Sequence, residues 1–260
     1  MIKQVLATSQ ETFLLLRRDK IFTPIVAITF FIMFLSSFIA EWSVDDWRVT
    51  FFNLSATMLR FAGDMVAILF GTKLMQDASA SGSIETSLSR PISRGLWVTG
   101  RYFGLAACLS VFAGISLGAW HLLNFVYEIG VPSRFLVWSS LLILTEWLVV
   151  GAAAIFFSTL GGFATALFAS VSILILGLLI GTAASTFAYE NSASQTPAKE
   201  LVMFLSKFWN FDRFSMVNYS AEFKLPSSSF LIECLAYGVS WTVFLITGSC
   251  YTTYSKDIAH

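Results

Sequence analysis

The chain has 260 residues, of which 56% are hydrophobic and only 12% charged, and its 16 basic and 16 acidic side chains cancel. A soluble domain carries about 25% charged residues, so a water-exposed globular surface is excluded, and the balanced charge offers no basic face for nucleic acid. The apolar residues fall in runs long enough to cross a ~30 Å hydrocarbon core, which reads as an integral membrane protein.

The chain opens on MIKQVLATSQETFLLLRRDK, with apolar residues at Ile2, Val5, Leu6, Phe13 and Leu16 and a basic cluster at its end. That spacing predicts an amphipathic helix over 1–21, lying in the membrane interface and feeding the first span. The apolar run after it has no small-residue cleavage site, so it is read as a span and not a signal peptide. Six spans follow, over 22–40, 53–75, 96–127, 135–158, 160–186 and 230–254. Lipid offers backbone groups no hydrogen-bond partners, so each span is expected to be a helix. The fold class is therefore all-α, with one transmembrane domain over 1–260 and an overlong, tilted third span.

Lys3, Arg17, Arg18, Lys20, Arg90, Arg94, Arg101 and Lys256 fall on one side of these spans. The other side holds Arg48 and Arg134, and its long loop over 187–229 adds Lys199, Lys207, Arg213 and Lys224. The bias puts both termini in the cytoplasm, and Trp42, Trp47, Trp97 and Trp120 are read as interface anchors. Within the long loop, 196–214 reads as a second amphipathic helix facing outward. Thr196 caps it, Pro197 takes its first position, and Leu201, Phe204, Leu205 and Phe208 form its stripe.

Among the charged residues inside these spans, Arg60, Asp64, Glu146 and Glu233 are the intramembrane candidates. Arg60 and Asp64 are one helical turn apart and can pair on one face. Glu146 sits mid-span in LLILTEWLVV. A charge there costs on the order of 3 kcal/mol, so it should face protein or water, or carry a proton. Glu233, near the outer end of the sixth span, is expected to reach the interface. These residues either line a translocation path or tie helices together. The pairs Gly100 and Gly104, Gly114 and Gly118, and Gly177 and Gly181 each have the spacing that permits close helix approach. Cys108, Cys234 and Cys250 read as small apolar packing residues, since their spacing suits neither disulfides nor metal. The two histidines, His121 and His260, are far apart, so no metal and no cofactor is expected in this chain.

Between the second and third spans lies a polar island, SGSIETSLSRPISRG, over 81–95. Ile84, Leu88 and Ile92 recur every four residues and line one helical face. Gly82 can cap such a helix, and Glu85 at its third position favours the positive end of the helix. Arg90 precedes Pro91 and is disfavoured in α conformation, so the short helix should break there. Pro91 is then expected to open the long helix of the third span.

The stretch GTKLMQDASASGSIETSLSRPISRGLWVTGRYFG, over 71–104, resembles the first cytoplasmic loop of type-2 ATP-binding-cassette exporter permeases. Gly82, Ser83, Ile84, Glu85, Leu88, Ser89, Pro91, Ile92, Ser93 and Arg94 fit that family's pattern, followed by Gly100, Arg101, Tyr102 and Gly104. QETFLLLRRDKIF similarly looks like the family's elbow helix, with Gln10–Glu11 where a lysine–glutamate pair is common. The resemblance implies that 81–94 is a coupling helix, with Gly82, Ile84, Glu85, Leu88, Ser89, Arg90, Pro91, Ile92 and Arg94 contacting an ATPase subunit. No GxxxxGK[ST] occurs in this chain, so ATP and magnesium would belong to that partner. It further implies two permease copies, a homodimer, meeting near Gly177 and Gly181, in a cell inner membrane. An accessory or periplasmic protein is a further possible partner. The nitrous-oxide-reductase maturation permeases are the similar subfamily. Two other classes compete: an intramembrane enzyme, which HExxH and paired glutamates would have favoured but which are absent, and a non-transporting membrane scaffold.

Overall fold

The computed structural model describes residues 2–43, 46–80, 93–189 and 197–255. Within them the chain forms α1 (Ile2–Arg17), α2 (Phe22–Glu41), α3 (Trp47–Ala80), α4 (Arg94–Val126), α5 (Ser133–Leu160), α6 (Phe163–Tyr189), α7 (Pro197–Phe208) and α8 (Ser228–Ser255). Two short 3-10 turns, Phe211–Phe214 and Val217–Tyr219, lie between α7 and α8. No strand occurs among the described residues. Six of the helices, α2 to α6 and α8, are long and apolar enough to cross a membrane, as the apolar runs predict.

Two span boundaries are sharper than the hydropathy. Gly161 is extended, at φ −143° and ψ −176°, and ends α5. The fifth span therefore opens at Phe163 and not at Leu160. Ser93 is also extended, at φ −69° and ψ 143°, so the long helix of the third span opens at Arg94 and not at Pro91. Arg94, expected in the coupling helix, is thus the first residue of α4. At 1.5 Å per residue, α3 and α4 are each about 50 Å long.

The bundle is built around α3 and α5, which run side by side along most of their length. A side chain at Gly63 would meet the Trp147 indole, with Cβ only 1.8 Å from Cε2, and Trp147 Nε1–H donates to the Arg60 carbonyl at 3.1 Å. Phe52, Leu59, Ile68, Phe112, Phe135 and Trp120 are fully buried around this pair. Lipid tails are as apolar as these side chains, so close packing and interhelical hydrogen bonds, rather than exclusion of water, hold them. The outer faces are apolar too: Phe31, Phe34 and Phe38 of α2 and Val243 and Phe244 of α8 are all exposed, as a lipid-facing surface should be.

Two of the expected tryptophan anchors are core residues. Trp120 is fully buried and donates to Ser55 Oγ at 2.9 Å, and Trp97 is buried beneath the Arg101 guanidinium, 4.9 Å from its ring. Trp42 is 85% exposed, as an anchor requires. Cys108 and Cys234 are buried and unpaired. The N-terminal helix turns inward a face that includes part of its apolar stripe. Thr8, Thr12 and Leu16 are buried and Val5 and Phe13 partly so, while Leu6 of the stripe points outward. The small threonines lie on Gly100 and Gly104 of α4, so α1 runs alongside the first turns of that helix.

Candidate functional site

Arg60 of α3 and Glu146 of α5 form a buried two-pronged ion pair. Arg60 Nε donates to Glu146 Oε2 at 2.6 Å and Nη2 to Oε1 at 2.7 Å. Glu146 is fully buried and Arg60 nearly so. The flat guanidinium fork matches a carboxylate in this geometry, which a lysine could not reproduce. Each partner lies about 20 Å along its helix from the end nearest Trp47 and Ser133, well inside the bundle. Glu146 thus meets protein, as its place in the span demands. Its partner differs from the sequence expectation: Arg60 does not pair with Asp64. Asp64 is also buried, and its Oδ1 has no hydrogen-bond partner among the described residues.

A third element joins the pair. Arg60 Nη2 also donates to the carbonyl of Phe211, at 3.1 Å. Phe211 belongs to the loop before the last span, so this loop dips into the bundle to the depth of the ion pair. Non-helical backbone at such depth is tolerated only where protein satisfies its polar groups, and here it does. Tyr237 Oη donates to the Phe208 carbonyl at 2.7 Å and accepts from Asn210 N–H at 3.0 Å. Trp241 Nε1–H donates to the same carbonyl at 2.9 Å. Trp209 Nε1–H donates to the Ile173 carbonyl of α6 at 2.8 Å, and Asn210 Oδ1 accepts from Asp212 N–H. The expected helix over 196–214 is therefore the shorter α7 followed by a re-entrant turn. Its predicted stripe is exposed, at 58% for Leu201 and 56% for Phe204, and Ser206 is the residue buried.

This turn accounts for two glycines. A Cβ at Gly177 would fall 2.2 Å from the Phe211 ring, and one at Gly181 would fall 2.4 Å from Asn210 Oδ1. The surface that the sequence reading gives to a second copy is covered here by the chain's own loop. Gly114 and Gly118 meet no atom within 4 Å. Glu233 is exposed near the start of α8, in keeping with the interface reading. His121 has Nε2 3.1 Å from Ser140 Oγ, a contact between α4 and α5 that spacing could not reveal. No further hydrogen bond to the imidazole occurs among the described residues, so the pair lacks an orienting acid.

At the opposite end of the bundle the helices are tied to one another. Gln76 Nε2 donates to the Gly161 carbonyl at 2.9 Å, joining α3 to the α5–α6 turn. Thr159 and Thr252 hydroxyls lie 2.7 Å apart, joining α5 to α8. Arg94 Nη1 approaches the Thr253 carbonyl at 3.5 Å, joining α4 to α8. Lys73 of α3 is ion-paired to Asp19, which follows α1. The coupling residues Gly82, Ile84, Glu85, Leu88, Ser89, Arg90, Pro91 and Ile92 lie outside the described residues, but the two helices that flank them are anchored in this network.

Residues 11–249 match the family model described as ABC-2 family transporter protein. The chain belongs to the ABC-2 transporter family. It is therefore a transmembrane permease component of an ABC transporter, a class that is not itself catalytic and that implies an ATPase partner. No curated protein matches the sequence. In this permease the ion pair and the re-entrant turn meet at one level of the bundle, and the tied end lies at another. Among the described residues, two lateral grooves open on the surface of the bundle. One, of about 370 Å³, lies between α4, α5 and α8 and is lined by Tyr102, Thr145, Leu148, Gly238 and Thr242. The other, of about 490 Å³, lies beside the re-entrant turn at Phe208, Tyr237 and Trp241.

Proposed function

We propose that this permease is the membrane half of an exporter driven by a separate ATPase subunit, assembled as two permeases and two ATPases. Its membrane is a cell inner membrane, with both termini cytoplasmic. Residues 81–94 carry the contact with the ATPase, and ATP and magnesium stay in that partner. The observation that supports this reading is the tied end of the bundle. Residues 81–92 connect α3 and α4, and both helices are hydrogen-bonded there to α5, α6 or α8. A displacement of 81–92 would therefore be passed to several spans together rather than absorbed in a flexible hinge. Coupling of this kind requires an element whose equilibrium both sites bias.

The cargo in this proposal is lipid-linked, peptide-like or otherwise amphipathic, or an effector of envelope-enzyme maturation, as in the nitrous-oxide-reductase maturation permeases. Support for that narrower likeness is confined to the motif over 71–104. A second permease copy would meet this one along the exposed apolar residues of α6, among them Ile175, Leu176 and Leu179, because Gly177 and Gly181 are already covered.

Co-purification with a cognate ATPase subunit tests the reading. Replacing Ile84 or Glu85 is expected to weaken association and uncouple ATPase activity from transport. Unchanged association and activity in both variants would remove the coupling assignment. Turnover of a substrate by the purified chain without nucleotide would favour an intramembrane enzyme instead, and normal function in cells lacking the ATPase would favour a scaffold.

A further inference from the structure

Arg60 has two carboxylates within reach and uses one. Glu146, on α5, holds it in the two-pronged pair. Asp64 lies one turn along α3, on the same helical face, where residues four apart are neighbours. Asp64 is 3% exposed, its Oδ1 has no hydrogen-bond partner, and it lies within electrostatic reach of both Arg60 and Glu146. An ionised carboxylate without a partner is among the costliest groups to bury. Among the described residues no other cation is placed beside it. Asp212, on the re-entrant turn, adds negative charge beside Arg60 and Glu146, while its neighbour Arg213 lies over the Tyr237 ring at 5.2 Å. Along their lengths α2 and α6 bring no charged side chain to this level. Arg94, Arg101 and His121 of α4 lie two or more turns from Phe112, the α4 residue that packs on Trp147 beside Gly63.

We infer that Arg60 is a two-seat latch, clamped to Glu146 in the closed state and able to move to Asp64 in an open one. In the closed state Asp64 carries a proton and Glu146 is the carboxylate. On exchange, the guanidinium leaves Glu146 for Asp64, the proton leaves Asp64, and Glu146 takes it up. The charge of the site is unchanged, so the exchange requires no ion from outside. Its mechanical result is local. Leaving Glu146 removes the ion pair between α3 and α5, and the same movement withdraws the Arg60 hydrogen bond from the Phe211 carbonyl, while the packing of Trp147 on Gly63 and the Tyr237 and Trp241 bonds to Phe208 stay in place. One side chain thus ties three elements at one level, and Asp64 is the alternative seat that lets it loosen that tie. The inference concerns the chain's own charge network, and its test reads stability and protonation rather than transport, so its failure would leave the exporter reading standing.

The test is a double-mutant cycle on the full-length permease in detergent or nanodiscs, with D64N, E146Q and the pair. E146Q is expected to fold, because Arg60 re-seats on Asp64. The double variant, with no seat left, should raise the unfolding constant by about tenfold beyond the product of the two single effects. Simple multiplication of the single effects, or an E146Q chain that fails to fold, would overturn the latch. Infrared spectra give an independent readout. The wild type should show a protonated-carboxyl C=O band that disappears in D64N, and disappears equally in E146Q, where Asp64 becomes the ionised partner of Arg60. A band that survives in E146Q, or a wild type whose band is untouched by D64N, would refute it.

Discussion

Thr12 of α1 lies directly on Gly104 of α4, where a Cβ on the glycine would fall 2.4 Å from the threonine Cβ and 2.7 Å from the Ser9 carbonyl. The backbone contact cannot move aside as the tip of a flexible side chain could. Gly104→Ala is expected to lift α1 from the bundle at a cost of about 1–3 kcal/mol, seen as faster proteolysis of the N-terminal segment and a lower melting temperature. Gly114→Ala, which meets nothing, serves as the control and should gain up to ~1 kcal/mol from helix propensity.

Thr12 is itself fully buried, and its hydroxyl has no hydrogen-bond partner among the described residues. Thr12→Val keeps the shape and removes the stranded oxygen. We expect a neutral or stabilising change of up to about 1 kcal/mol, measurable in the same melting assay. Destabilisation would show that the hydroxyl is satisfied by a group outside the chain.

The pair between Asp19 and Lys73 should make the N-terminal helix sensitive to acid. Burial pushes the Asp19 carboxyl up, but the hydrogen bond and charge of Lys73 and the Ile21 N–H outweigh it, and its pKa is lowered below the usual 3.8. A lowered folded-state value means the contact contributes in full above the unfolded pKa and is lost as pH falls through the folded one. Protease release of α1 should therefore rise below about pH 4. Lys73→Met should abolish that rise and cost ~0.2–1 kcal/mol at neutral pH, the range for a partly exposed pair.

Removing Arg60 outright differs from moving it. Arg60→Met strands Glu146 and the Phe211 carbonyl, and should cost about 3–5 kcal/mol. Replacing both ion-pair partners, as Arg60→Met with Glu146→Leu, should recover most of that stability in chemical unfolding. It should not recover transport if the latch is used.

The re-entrant turn depends on two donors that share one acceptor. Tyr237 and Trp241 both donate to the Phe208 carbonyl. Tyr237→Phe also removes the acceptor for Asn210 N–H, and is expected to cost about 1–3 kcal/mol and to expose Lys207 and Arg213 to trypsin. Trp241→Phe should cost less while Tyr237 remains, and the two losses together should exceed their sum.

The spans were legible because lipid imposes length and hydropathy on each of them separately. The need of Glu146 for a partner was legible for the same reason. The partner was not. A local rule brings Arg60 to Asp64, whereas the packing of α3 on α5 brings it to a residue 86 positions away. The glycine spacing marked close approach at two of three pairs: Gly100 and Gly104 receive α1, Gly177 and Gly181 receive a loop of the same chain, and Gly114 and Gly118 meet nothing. The threonine face of α1 was hidden behind its more conspicuous leucines, because hydropathy marks what faces lipid as readily as what faces protein. Gly161 and Ser93 ended or delayed helices through backbone conformations that apolar runs do not encode.

The seating of Phe208 to Phe214 also sets an order of assembly. The loop is made before α8, yet Tyr237 and Trp241, which satisfy its backbone, arrive only with that final helix. Until then the segment has only its contacts to α3 and α6, and the Phe208 carbonyl and Asn210 N–H lack the partners that α8 brings. The five earlier spans can be inserted one by one, but the loop is fully seated only after the last has followed. A nascent chain stalled before residue 237 should therefore leave Lys207 and Arg213 open to trypsin, which makes the sixth span the element that completes a loop made before it.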